Sequence, residues 1–447
     1  MREETSFRKT LSLFQVVYLG LAWMTPMIYF SIYGIAYETS GGMLSQAYLL
    51  AFIAIFFTAY SYGVMSKTFS ASGSAYTYAK KSIHPVLGYL VGWALLLDYF
   101  FSPLIACLTF GLYIHAQFPS VPAYVWIILL NAVLAAVNII GIKFSANLSR
   151  LFVWVQIGFI AVFCGFLINN ISGGVQPLET FAASGVPFST ILSGASIICF
   201  SFLGFDSITT MSEETVNAGK TIPRAIMIII FSAVILYLTP SILTQLVYPH
   251  VTFANIDSAG LEIVRLVGGS ALASLFTVVL IMAIFTQGLS SVTCVSRLLY
   301  VMGRESILPK RFFGSLHPRL NTPVFNIVLV SAVSLLALVV NLDTAVKFVN
   351  FGALSAFVVV NLCVIAQLYI KEKRRSFKQT WLYLIFPLTG AGFIGWLLSL
   401  LDKDALLMGG VWLLIGIAYH VLKSRLNRPL SNSDSTIPVK PASGMES

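Results

Sequence analysis

The chain has 447 residues, 57% of them hydrophobic and only 10% charged, with a mean hydropathy of +0.87. A soluble protein carries roughly 25% charged residues, and the apolar excess here runs the whole length, which excludes a soluble enzyme with one anchor. The net charge of +10 sits in short segments between apolar runs and not on one soluble face, which argues against a nucleic-acid partner.

The opening residues, MREETSFRKT, carry charge but no small-residue cleavage site behind a short apolar core. Residues 1–11 therefore read as a cytoplasmic tail before a retained helix. A bilayer crossing needs about 20 mostly apolar residues. Such runs fall at 12–37, 42–66, 85–114, 122–142, 149–168, 190–211, 223–246, 271–297, 323–340, 345–370, 380–400 and 404–423. They predict an all-α polytopic membrane protein with twelve transmembrane helices. No stretch fits a soluble domain, and residues 429–447, rich in Ser, Pro and Asp, read as a disordered cytoplasmic tail.

Lysine and arginine orient the runs. With the N-terminus inside, 24 of the 27 basic residues fall on the inner side, and only Arg265, Lys347 and Lys403 fall outside. Both termini are then cytoplasmic. Glu38, Glu179, Asp257, Glu262, Asp343, Asp402 and Asp404 lean outward. A mildly negative vestibule would favour an incoming cation; avoidance of lysine outside would leave the same picture.

Two runs look interrupted. In the first, YLGLAWMTPMIYF (18–30), Gly20 and Pro26 bracket Trp23 and Thr25, and the proline frees a carbonyl near Ala22. In the sixth, CFSFLGFDSITTMSEET (199–215), Gly204 stands beside Asp206. Non-helical backbone at membrane depth is tolerated only where it is buried or lines a cavity. Interrupted segments at corresponding positions of two halves point to a midplane site in secondary transporters. Ordinary membrane-helix kinks are the plainer reading of each break taken alone.

Asp206 is the sharper signal. A charge at mid-bilayer costs roughly 2.5–3.5 kcal/mol on insertion scales, so it should face the bundle and act on an ion, substrate or proton. A dry site favours a protonated carboxyl and a bound cation favours the carboxylate, so one group can exchange a proton for an ammonium. A structural hydrogen bond to neighbouring Ser or Thr is the alternative. Asp98, in GWALLLDYFFSP, lies about 13 residues into the third run, near mid-depth. Two separate carboxylates suit a substrate with two amines, and Trp23, Trp93, Tyr99, Phe202 or Phe205 could hold its methylene chain or an ammonium. Glu213 and Glu214 come at the inner end of the sixth run and read as inner-gate residues or partners of a cytoplasmic arginine. The five cysteines (Cys107, Cys164, Cys199, Cys294, Cys363) read as small buried hydrophobes, and the five scattered histidines give no metal site.

Several stretches resemble one family: GLAWMTPM (20–27), FTAYSYG (57–63), GSAYTYAKKSIHPVLGYLVGWALLLDY (73–99), CFSFLGFDSITTMSEET (199–215), SRLLYVMGRESILPKRFFGSLHP (296–318) and NFGALSAFVVVNL (350–362). On these, over about residues 8–425, the chain is identified as a member of the amino acid–polyamine–organocation superfamily, resembling most its bacterial putrescine importers. The resemblance implies a LeuT-like fold, with two inverted repeats of five helices at 12–370 and two additional helices at 371–428. It implies a substrate site between the unwound parts of helices one and six. By position, Ala22, Trp23, Met24 and Thr25 supply the first break, and Phe202, Gly204, Phe205 and Asp206 the second. Asp98 and Tyr99 join them as substrate-binding candidates from the third run. An acid at the place of Asp206 serves substrate and proton linkage in related antiporters.

Three departures bear on substrate and coupling. Amino acid transporters of the superfamily have a glycine-rich break that exposes amides to a carboxylate, whereas AWMTP is a poor carboxylate nest and favours an amine without one. Ser31 stands where the putrescine group holds an aspartate. Gln156 stands where several relatives carry a helix-five lysine, which leaves Asp206 as the proton carrier; Thr25 and nearby carbonyls would be the ligands for sodium, the less favoured coupling ion. No cofactor or metal is expected. The expectation is a proton-coupled importer of a small organic amine, putrescine or a related polyamine favoured, in a bacterial plasma membrane with lipid around it. An amino acid permease is the alternative, and monomer or homodimer is left open. A channel or sensor would need a wide pore or a regulatory domain, and no nucleophile–base pair, phosphate loop or metal cluster supports an enzyme.

Overall fold

The computed structural model describes residues 7–171, 185–254, 256–401 and 403–426. Residues 1–6, Glu179, Asp402 and the tail from Pro429 lie outside the described residues, as do the side chains of Asp257, Asp343 and Arg425. Among the described residues there is no sheet, only an isolated parallel bridge between Leu11 and Thr215.

Among the described residues, eleven helices are long and apolar enough to cross a membrane, from Leu13–Ser31 to Lys403–Lys423. They fall on eleven of the twelve apolar runs. The ninth run folds as a shorter apolar helix, Val324–Leu338. Its length is limited at both ends: Pro323 opens it, and Asn341 caps the next helix by accepting the Thr344 N–H at 2.8 Å. This protein is a multi-pass α-helical membrane protein.

The first run is three pieces. Helix α1 (Leu13–Met24) starts on a capping box in which Ser12 and Gln15 exchange side-chain and backbone bonds. It stops at Thr25, whose φ of 48° no right-handed helix accommodates, and Pro26 has no N–H to return to Ala22. The chain resumes as α2 (Ile28–Ser31) and α3 (Tyr33–Thr39). Helices α4 (Leu44–Thr68), α5 (Ser74–Ser82), α6 (Pro85–Gln117), α7 (Ala123–Ile140) and α8 (Ile142–Asn170) follow.

The sixth run also breaks. Helix α9 (Phe188–Ile198) tightens into a 3-10 turn at Cys199–Phe202, and Gly204 then takes a φ of 110°. Beyond it, Ser207–Glu214 is an eight-residue 3-10 helix, twice the usual length of such runs. Its own side chains explain it. The hydroxyls of Ser207, Thr209, Thr210 and Ser212 each donate to the carbonyl three residues back, at 2.6–2.7 Å. That spacing matches a three-residue turn and competes with the four-residue turn of an α-helix.

Helices α10 (Ala218–Val247), α11 (Ala259–Arg304), α12 (Lys310–Phe313), α13 (Val324–Ser334), α14 (Leu342–Val364), α15 (Phe377–Thr380), α16 (Phe386–Ser399) and α17 (Lys403–Leu426) complete the chain. Helix α11 bends at Gly269, whose φ is 71°. The last two spans are peripheral, with only 22% and 17% of their apolar stretches buried. At the centre α6 and α14 touch backbone to backbone. A Cβ on Gly352 would lie 2.7 Å from the Ala94 carbonyl oxygen and 2.8 Å from the Asp98 nitrogen.

The two ends close by different chemistry. At the basic end Arg297 pairs with Glu214, Arg304 with Glu213 at 2.6 Å, and Lys80 with Glu305 at 2.5 Å. The segment before α1 is tied there too: Thr10 and Leu11 donate backbone N–H groups to Glu214, and Val216 donates to Leu11. At the opposite end Tyr33 stacks on Tyr37 at 6.0 Å, and Phe253 meets both rings edge-on.

Gly352→Leu should force α6 and α14 apart. Overpacking of this kind costs about 1–3 kcal/mol. The expected outcome is a lower thermal midpoint of the detergent-solubilised protein than wild type, followed by size-exclusion chromatography after heating.

Candidate binding site at the two helix breaks

The breaks face each other through one contact. A Cβ on Gly204 would sit 2.2 Å from the Trp23 ring, so the indole of the first break occupies the space that only a glycine in the second leaves open. Trp23 in turn meets Tyr99 of α6, with ring centroids 5.1 Å apart. The Tyr99 hydroxyl donates to Asp206 Oδ2 at 3.1 Å. Trp23, Tyr99, Gly204 and Asp206 therefore form one buried constellation.

Asp98, one residue before Tyr99, is 1% exposed. Its Oδ1 accepts the Ser102 hydroxyl at 3.2 Å, while Asp98 Oδ2 and Asp206 Oδ1 are buried without a partner. The two carboxyl groups are close enough to interact electrostatically. A cavity of about 20 Å³ is lined by Trp23, Met24, Asp98, Ser102, Leu203 and Gln287. Asp206 does not line it, and is linked to its wall by the Tyr99 hydroxyl and the Tyr99–Trp23 ring contact.

The remaining candidates divide. Ala22 and Met24 are buried in the last turn of α1. Phe202 packs edge-on against Tyr237 at 5.4 Å. Phe205 meets Tyr62 and Phe357 at 5.5 and 5.3 Å. Thr25 donates its hydroxyl to Gln156 at 2.9 Å, Gln156 donates onward to Thr286 at 3.2 Å, and Tyr237 donates to the Thr25 carbonyl at 3.3 Å. The site thus draws on α8, α10 and α11, which local sequence signals did not connect. Ser31 is exposed and takes no part in it. Trp93 lies elsewhere, stacked at 4.9 Å on Trp412 of α17.

Glu213 and Glu214 stand apart from this constellation, at the basic end. Arg297, counted in the sequence among the inner-loop cations, is inside α11 and 1% exposed, held against Glu214. The signal was available: Arg297 and Arg304 lie seven residues apart, on one helix face, opposite two consecutive glutamates. Breaking a buried pair of this kind costs about 3–5 kcal/mol, because one charge is left without compensation.

The electrostatic balance follows. Among the described residues the charged side chains classed as buried are Asp98, Asp206, Glu214 and Arg297. Arg297 and Glu214 neutralise one another, so the two aspartates face the core without a protein cation. Such a site can hold a cationic group or protons. No group of three or more His, Cys, Asp or Glu suited to a metal occurs among the described residues.

A polytopic helical bundle with two broken helices around buried carboxyls is the architecture of a solute permease. The amino acid permease model matches residues 14–413, and the chain belongs to that family, within the amino acid–polyamine–organocation superfamily. It is accordingly a transporter and not an enzyme. It is 39% identical over 422 residues to the low-affinity putrescine importer PlaP of Escherichia coli K12, covering 92% of this chain and 93% of that one. It is 28% identical to the methylthioribose transporter of Bacillus subtilis, covering 94% of each, and 26% identical to the branched-chain amino acid permease BcaP of the same organism, covering 96% of each.

Thr25→Val removes the donor to Gln156 and leaves a buried amide oxygen unpaired, at a cost of about 1–3 kcal/mol. Thr25→Val combined with Gln156→Leu should destabilise by less than the sum of the two single changes, by about 0.5 kcal/mol or more. Thermal midpoints of the four proteins in one detergent measure that difference.

Proposed function

We propose that this chain is a secondary active importer of a small organic amine, with putrescine or a related polyamine the favoured substrate, coupled to protons. One observation carries the reading: Asp98 and Asp206 are both buried and interact electrostatically, each with an unpartnered oxygen and, among the described residues, with no buried protein cation beside them. A diamine supplies two ammonium groups for two carboxylates, and Trp23 and Tyr99 supply aromatic faces for its methylenes. The absence of a buried cation facing the site disfavours a substrate carboxylate. Ser31, exposed and outside the site, does not weaken the amine reading.

Asp206 carries the coupling proton in this scheme. When the ammonium leaves, the carboxyl takes up a proton, so the buried site is never left with an uncompensated charge. Sodium is the weaker alternative, with Thr25 and nearby carbonyls as its ligands. Glu213 and Glu214 form the inner gate, because both of their arginine pairs must part before that end can open. Val324–Leu338 completes a twelve-span chain of two inverted five-helix repeats and two further helices. That parity keeps both termini on the cytoplasmic side of a bacterial plasma membrane, with the basic end inward.

The test is uptake of labelled putrescine into proteoliposomes with and without an inward proton gradient. Spermidine, agmatine, ornithine and neutral amino acids serve as competitors. Diamines should compete, and because Asp206 exchanges a proton for the ammonium, the inward gradient should slow uptake and the reverse gradient should accelerate it. Asp206→Asn should lower uptake by about tenfold or more, the value of one charge-assisted contact, with normal membrane levels. Competition by neutral amino acids in place of diamines would instead assign an amino acid permease, and wild-type rate and pH dependence in Asp206→Asn would remove its assigned role.

A further inference from the structure

A second cavity lies at the basic end, far along the chain from the two breaks. It encloses about 260 Å³ and is lined by residues from the α5–α6 corner, the turn after α11, and α17. Three basic side chains line it: Lys80, His420 and Lys423. No carboxylate lines it; Glu305, which reaches Lys80 at its wall, is paired there and with the Tyr76 hydroxyl. Lys423 spends two of its three donors on the Ser306 and Ile307 carbonyls, which anchors its ammonium at the cavity and leaves one donor free.

The walls are rigid. His420 lies against the Tyr89 ring at 4.8 Å, and Tyr89 donates to the Gly416 carbonyl at 2.8 Å. Trp93, Trp412 and Tyr419 stack beside them, with Trp93 and Trp412 each donating to the other's backbone carbonyl. The mouth is apolar. Pro85 and Val86 form its apolar edge, and α17 carries an outward face of Leu414, Val421 and Leu422 that is 66, 43 and 60% exposed.

We propose that this cavity is a binding site for a phosphate-bearing headgroup, that of an anionic phospholipid, with its acyl chain along the exposed face of α17. Cations gathered in a cavity between membrane helices match such a headgroup, and each lysine near the surface contributes about 1 kcal/mol to holding it. The bound lipid bridges α6, the turn after α11 and α17, and so fastens a peripheral helix to the core. This site is independent of which solute the central site carries.

Two variants of the full-length protein test it. Lys423→Gln removes one cation. Val86→Glu adds a carboxylate at the mouth without removing a hydrogen bond made by a side chain, in the first turn of α6 where an acid suits the helix dipole. Thermal midpoints in detergent would be measured with phosphatidylglycerol, phosphatidylcholine or inorganic phosphate, and lipid retention by native mass spectrometry. Phosphatidylglycerol should stabilise wild type and remain bound, and phosphatidylcholine should not. Retention should fall about fivefold in Lys423→Gln, by the loss of one lysine, and at least as far in Val86→Glu. Val86→Glu should keep the wild-type midpoint without lipid. An undiminished response to phosphatidylglycerol in either variant, or an equal response to phosphatidylcholine, overturns the proposal. Inorganic phosphate that reproduces the stabilisation and displaces the lipid overturns the lipid assignment in favour of a free anion.

Discussion

A helix can break inside a membrane only where the freed backbone groups find partners within the protein. In the sixth span that requirement is met by four short side chains, Ser207, Thr209, Thr210 and Ser212, each folding back on the carbonyl three residues earlier. The 3-10 path they impose sets where Asp206 stands and where Glu213 and Glu214 emerge. Without it the glycine at 204 would be a kink in an ordinary span. With it the chain makes a turn that Trp23, from the other break, fills.

The contact between Trp23 and Gly204 also makes the two breaks mechanically one object. The indole fits only because position 204 has no side chain, so displacement of either segment disturbs the other. Around them the molecule is asymmetric. The basic end is held by ion pairs and backbone bonds, whereas the opposite end is held by tyrosine and phenylalanine rings. Salt screens the part-exposed Arg304–Glu213 pair, reaches the buried Arg297–Glu214 pair much less, and finds no charge to screen in the ring packing. The two closures therefore answer to different conditions.

Much of this was legible in the sequence. Hydropathy marks the spans because a crossing helix has to be apolar over its whole length, and Pro26 and Gly204 mark the breaks because each has a local backbone effect. Asp98 and Asp206 stand out for their cost in lipid. What stayed hidden was pairing between distant residues. Gln156 and Thr286 look like isolated polar residues in apolar runs until three helices bring them to Thr25. Arg297 looks like a loop cation because its run ends close by, yet its partner is a glutamate 83 positions earlier. The ninth run exceeds the length of the helix it forms because Val339 and Val340 turn back onto the Leu336 carbonyl before Asn341 caps the next helix. Such features depend on the packed arrangement and leave no local mark.

The bridge between Leu11 and Thr215 has a consequence for how the protein is made. Residues at the very start of the chain are hydrogen-bonded to the segment that follows the sixth span, more than two hundred positions later. During synthesis the first segment must wait, unpaired, while six spans are inserted. The Glu214 carbonyl that receives Thr10 and Leu11 appears only then, together with the glutamate that Arg297 will meet later still. The ion pairs of the basic end can therefore form only after the eighth span has been made.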